Sequence, residues 1–101
     1  MDGFSVLVDP TRRAIADLLR RGESDVGGLV RELELPQPLV SKHLRILREA
    51  GAVEAEVTGK RRVYRLSDCP FPDVLAWMLP YAERWRASFD RLSTVLQEED
   101  R

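Results

Sequence analysis

Cysteine is nearly absent from this chain. Cys69 is the only one among 101 residues, so no intrachain disulfide can form and a stapled secreted scaffold is excluded. Long apolar runs are missing as well. The longest, Val74 to Leu79, falls far short of the ~20 residues that span a bilayer. The first ten residues carry an acid at position 2 and no basic stretch, so the expectation is a cytoplasmic chain with no signal peptide and no membrane partner. Gly/Ser linkers, low-complexity tracts and internal repeats are absent too, and the length suits one domain over residues 1–101. Histidine occurs once, at His43. With no Gly-rich phosphate loop, Cys/His pair or metal triad, neither an enzyme nor a cofactor is expected.

An excess of charge of one sign is also lacking. Lys and Arg number 16 against 17 Asp and Glu, for a net charge of -1. That balance disfavours a basic nucleic-acid coat protein, a polybasic anchor and an acidic tail. It is an average over unlike segments. Residues 36–66 carry a net +4, residues 1–35 carry -2, and residues 67–101 carry -3.

What is present is a clear succession of periods. Asp9-Pro10 starts a helix, because Asp caps and Pro fits the first turn. Ala14, Ile15, Leu18 and Leu19 follow at helical spacing, and Gly22 stops it. Ser24 is placed to cap a short second helix with Val26, Leu29, Val30 and Leu33 on its apolar face. Pro36-Gln37-Pro38 breaks the chain. A third helix over about residues 37–50 buries Val40, Leu44 and Leu47 and exposes Gln37, Ser41, Lys42, Arg45 and Arg48. Two short helices joined by a tight turn form a helix-turn-helix. The period then drops to 2 over Val53–Val57 and Arg62–Leu66, with Gly59 between the runs. That is a β-hairpin over about residues 52–66 with the basic tip Lys60-Arg61-Arg62. The fold class is mainly α with a β-hairpin, a winged helix-turn-helix.

From about residue 71 to residue 98 the pattern is helical again. Leu75, Met78, Ala82, Trp85, Phe89, Leu92 and Leu96 alternate spacings of 3 and 4, which makes an a/d seam. The expected partner of this seam is the same helix of a second copy, in a homodimer. Pro80 is expected to kink this helix or restart it.

Residues 9–66 resemble the ArsR family of winged-helix regulators. The resemblance rests on Asp9-Pro10-Thr11-Arg12-Arg13-Ala14-Ile15, on the run Gln37 to Gly51, and on the wing Gly59 to Leu66. It implies a homodimeric repressor on an operator in double-stranded DNA, with dimer contacts from the first and last helices. The second helix of such a motif enters the major groove. Gln37, Pro38, Ser41, Lys42, His43 and Arg45 are the expected contacts there, and Lys60, Arg61 and Arg62 suit phosphates or a narrowed minor groove. Packing against the hairpin is the alternative for His43. Two recognition helices about 34 Å apart match an inverted repeat. One departure stands out: Pro36 occupies the position where the family commonly has an N-capping Ser, so the recognition helix starts without that cap.

The family's metal positions are not filled. Asp25, Gly27 and Val30 stand where arsenic- and cadmium-type members carry cysteines, and the last helix has no histidine. The expectation is a metal-independent regulator with no metal site and an unknown effector. Cys69, beside Pro70 and Phe71 with no base nearby, is expected to be an inert thiol. Trp77, Tyr81 and Trp85 are expected in core or interface. The competing readings are a winged-helix dimer that binds protein, and a sensor with an unrecognised ligand or metal site.

Overall fold

The local signals for the first long helix work as they should. Asp9 accepts from the amides of Thr11 and Arg12 at 2.8 and 3.1 Å, and Pro10 supplies a φ already suited to the first turn. In the computed structural model, which describes residues 1–99, this helix is Pro10–Arg21. Residues 100–101, the end of the expected domain, lie outside the described residues. In chain order the elements are α1 (Gly3–Val8), α2 (Pro10–Arg21), β1 (Ser24–Asp25), α3 (Val26–Leu33), α4 (Gln37–Glu49), β2 (Val53–Thr58), β3 (Arg61–Leu66) and α5 (Pro72–Glu99).

Two small elements depart from the sequence reading. α1 was not expected; Asp2 caps it by accepting from Ser5 N at 2.7 Å. Ser24 does not cap α3. Asp25 does, accepting from Gly28 N at 2.8 Å, while Ser24 pairs with Tyr64 in a short edge strand. The hairpin is therefore part of a three-stranded antiparallel sheet of order β1-β3-β2.

α4 begins at Pro36, which offers no side-chain cap. The Pro36 carbonyl closes the first turn instead, accepting from Leu39 N and Val40 N at 3.1 and 3.2 Å. The other end is closed by backbone hydrogen bonds. Gly51 at φ 79 lets Gly51 N reach Arg48 O and Ala52 N reach Leu47 O, both at 3.0 Å. This is the Schellman pattern, which needs a residue that tolerates the left-handed region. The wing turn needs the same freedom, and Gly59 adopts φ 64 between the paired residues Thr58 and Arg61.

One core joins these parts. Val6, Ile15, Leu19, Leu29, Val40, Leu44, Leu47, Ala52, Val53 and Tyr64 are buried together. α1, α2, α3, α4 and the sheet each contribute, so α4 is held on three sides and presents its fourth outward.

α5 is a single helix of 28 residues that runs through Pro80 without dividing. Pro80 lacks an amide hydrogen, which leaves the carbonyl one turn back to water; Ala76 is exposed, so that need is met. The helix meets the body chiefly through α1. Gly3 N donates to Asp73 Oδ2 at 2.8 Å, and the Phe4 and Trp77 rings meet edge-to-face at 5.9 Å. The close approach suits glycine, since a Cβ at this position would displace the Asp73 carboxylate. Beyond that contact α5 projects, and the molecule measures 59 Å along one axis against 29 and 23 Å across. No helix among the described residues is long and apolar enough to cross a membrane.

Candidate nucleic-acid interface

The 3.6-residue period of α4 divides its side chains cleanly. Val40, His43, Leu44 and Leu47 point inward, while Gln37, Pro38, Ser41, Lys42, Arg45 and Arg48 are exposed. The wing then closes a groove over part of that exposed face. Pro38, Ser41, Lys42, Arg45, Arg48, Arg62 and Tyr64 line a concavity of about 530 Å³. Four of its seven residues are cations and none is a carboxylate. Arg48 belongs to this lining although it was not among the expected contacts; its spacing of three from Arg45 and seven from Ser41 is the signal that places it there.

Strand alternation sorts the basic wing in a way the sequence reading did not use. Arg62 and Tyr64 point toward the groove. Arg61 and Arg65 point to the opposite face of β3, as a period of 2 requires. There Arg61 Nη2 lies 3.0 Å from Asp25 Oδ2, and Arg65 reaches Glu54 at 3.2 Å and Glu56 at 2.7 Å. Among the described residues no carboxylate lies within ion-pair distance of Arg62. Lys60 is exposed on the turn itself. The expected uniform tip of Lys60, Arg61 and Arg62 is thus divided, with Arg61 turned to α3.

The ionisation of these groups follows their partners. The Gly28 amide donates to the Asp25 carboxylate, and with Arg61 beside it the carboxyl is held below its usual range. Glu56 and Glu54 together raise the Arg65 guanidinium above its own. Partial burial pushes Asp9 upward, but the amides of Arg12 and Thr11 outweigh it and the net shift is downward.

His43, expected at DNA, is turned inward. The ring is only 6% exposed, because its position on α4 falls one residue before Leu44 on the core side. Arg12 Nη1 lies 3.4 Å from His43 Nδ1. The same guanidinium donates through Nε to Val6 O at 2.8 Å and through Nη2 to Ser5 O at 3.1 Å. Arginine has no acceptor, so any hydrogen bond in this contact runs from Arg12 to the ring nitrogen. Arg12 therefore ties the end of α1 to the inner face of α4. No local sequence signal announces this contact, which spans 31 positions.

The seam of α5 is open to solvent. Leu75, Trp85, Phe89, Leu92 and Leu96 are exposed, Phe89 by 65%, and Met78 and Ala82 are half-buried. Trp77 and Tyr81 stack at 4.9 Å in a tilted arrangement. Cys69 is free and exposed. Asp73, at the start of α5, is engaged by Gly3 N. Among the described residues no three His, Cys, Asp or Glu side chains gather into a group that holds a metal ion.

Comparison with known proteins bears on the same segment. Residues 9–55 match the family described as bacterial regulatory protein, arsR family. The chain is 32% identical over 81 residues to the transcriptional repressor SdpR of Bacillus subtilis, covering 80% of this chain and 90% of that protein. A crystal structure of an ArsR family transcriptional regulator superposes with a TM-score of 0.70 at 32% identity, covering 83% of this chain and 92% of the other. A homodimeric winged helix-turn-helix DNA-binding domain from Mycobacterium bovis, solved in solution, gives a TM-score of 0.65 at 27% identity, with coverage of 80% and 75%.

Proposed function

The chain belongs to the ArsR family of bacterial regulatory proteins, a family of transcriptional regulators rather than enzymes, and from that premise we propose that its single domain is a homodimeric, metal-independent repressor of an inverted-repeat operator. The observation that carries this reading is the groove between α4 and the wing. Lys42, Arg45 and Arg48 from α4 and Arg62 from the wing line it together, with no acid among the lining residues. Phosphate oxygens neutralise such a surface, and Ser41, Lys42 and Arg45 carry hydrogen-bonding groups that distinguish base edges. Gln37 and Pro38 stand at the entry of α4, where a major-groove reader makes its base contacts. Lys60 at the turn reaches the flanking backbone.

The dimer follows from the seam of Leu75, Met78, Ala82, Trp85, Phe89, Leu92 and Leu96, exposed except at the half-buried Met78 and Ala82, on a helix that leaves the body. Seven a/d-type positions on one projecting helix match the same helix of a second copy, and two-fold symmetry makes the operator an inverted repeat. Two segments of net +4 then sit on bodies of opposite sign, so phosphate is attracted on one face and repelled elsewhere. Metal independence rests on the donor set. Asp25, Gly27 and Val30 supply no thiolate, and Asp25 is occupied by Gly28 N and Arg61. Such a protein works in the cytoplasm, where its DNA is.

Selection of DNA from a random pool by the purified protein, followed by fluorescence anisotropy, tests the reading. The expected result is a palindromic consensus bound by two chains, with affinity that falls steeply with salt and does not respond to Zn²⁺ or EDTA. Enrichment of no sequence, with weak and uniform binding, would replace it with the protein-binding reading.

A further inference from the structure

We propose that a second cavity, between α2 and the β3–α5 connection, binds a small organic monocarboxylate with an apolar body. The cavity has a volume of about 320 Å³ and shares no lining residue with the groove. Its floor is apolar: Leu7 of α1, Ala16 of α2, Leu66 at the end of β3, and Pro70 and Phe71 in the β3–α5 connection. No hydroxyl or amide side chain is among these residues, so the floor meets the apolar part of an occupant and its polar contacts fall to the rim. Sites for small molecules have this character, apolar walls with a few charged groups. The volume is at the lower end of the ~300–1,000 Å³ range of small-molecule sites, which suits one ring or a short chain.

The rim fixes the charge of the occupant. Arg13, Asp17 and Arg20 follow one another along a single row of α2 at this rim, with Asp17 between the two arginines, so cations exceed anions by one. Arg13 is held in place, because its Nη1 donates to Leu7 O at 2.7 Å and to Val8 O at 3.2 Å. Its Nε and Nη2 make no hydrogen bond among the described residues, and neither does the Arg20 side chain. Arg13, whose position is already set, loses little entropy in meeting a carboxylate, and Arg20 on the same row of α2 adds a second charge-assisted hydrogen bond to it.

The position of the cavity gives the ligand leverage. Leu66 ends the wing strand, Leu7 lies on α1, and Phe71, a non-glycine residue at φ 59, leads into α5. An occupant touches the base of the wing and the root of the projecting helix together. Any preference for one spacing of these parts shifts the population toward that spacing.

The test is a methyl-resolved NMR titration of the intact protein without DNA, so the site stands or falls apart from the regulator reading. The probes are octanoate and benzoate, with octanol and octylammonium as controls. The expected result is saturable shifts at Leu7 and Leu66 methyls with the carboxylates, and binding weakened about tenfold in Arg20→Gln, the usual worth of one charge-assisted hydrogen bond. Arg20 is exposed and outside the core, so this variant folds; Ala16→Met, which fills the floor, provides a second variant and abolishes the shifts. No saturable shift up to about 10 mM carboxylate, equal shifts with octanol and octylammonium, or unchanged affinity in Arg20→Gln would overturn the proposal. So would shifts of these methyls that track dilution of the protein instead of ligand, since the cavity would then belong to an interface between copies.

Discussion

Arg61 on the wing strand and Asp25 at the start of α3 form an ion pair at 3.0 Å. Asp25 at the same time accepts from Gly28 N at 2.8 Å. One carboxylate thus caps the helix that precedes the recognition helix and anchors the wing that lies beside it. The side of the wing facing α3 is neutralised, and the side facing α4 keeps its charge.

The two neighbouring arginines therefore respond differently to removal. Arg62→Ala is expected to weaken binding to all DNA sequences and to reduce the slope of log affinity against log salt by about 1. Arg61→Ala leaves that slope near its original value and instead speeds hydrogen exchange of the β1–β3 amides. Anisotropy across a salt series, together with exchange rates, separates the two; an equal loss of slope in both would place Arg61 at phosphate.

The inward position of His43 has its own consequence. His43→Ala removes the group facing Arg12 and leaves that guanidinium with an unmet donor in a half-buried site, a loss of roughly 1–3 kcal/mol. Melting temperature falls, DNA affinity falls for every sequence, and the salt slope and base preference stay unchanged. A change of preferred base in this variant would return His43 to the DNA surface.

The seam of α5 is tested by charge. Phe89→Asp puts a carboxylate at a position 65% exposed in the monomer, so the body still folds. Light scattering is expected to give half the original mass, circular dichroism little change, and operator binding a loss of at least the cooperativity between half-sites. A mass that stays at two chains would move the dimer contact elsewhere.

Acid should unfold the protein through its helix caps. Ser5 N lowers Asp2, the Arg12 and Thr11 amides lower Asp9 against the upward push of its partial burial, and Gly28 N with Arg61 lowers Asp25. A carboxyl lower in the folded state stabilises above its unfolded value and loses that stabilisation as pH falls toward the folded one. Melting temperature is expected to be flat above about pH 5 and to drop from about pH 4 downward. Asp9→Asn, which keeps a capping oxygen and removes the titration, flattens that drop in part. A drop of equal steepness in the variant would exclude Asp9 from it.

The recognition helix itself is held by its core side. Leu47 is fully buried, and Leu47→Ala is expected to cost about 2–5 kcal/mol of stability. Chemical denaturation measures this directly, and a cost below about 1 kcal/mol would mean that the site collapses around the deletion.

Much of this architecture is legible in the sequence because it rests on short-range rules. The Asp9-Pro10 start of α2, the stop of α4 at Gly51, the Gly59 turn and the alternating strands all follow from caps, φ preferences and periods that act within a few residues. The exposed face of α4 and the seam of α5 follow from the same periodicity. α1 and β1 escaped notice because six and two residues carry too little period to register, and both persist through contacts with distant partners, Asp73 and Tyr64.

The charge balance shows where the division lies. Sequence alone placed a net +4 on residues 36–66, and with it the segment that meets phosphate. Only the tertiary structure decided which cations remain available. Asp25, 36 positions before Arg61, neutralises one side of the wing, and Arg12, 31 positions before His43, faces the sole histidine inside. Pairings over such distances depend on which surfaces the common core brings together, and no local period encodes that.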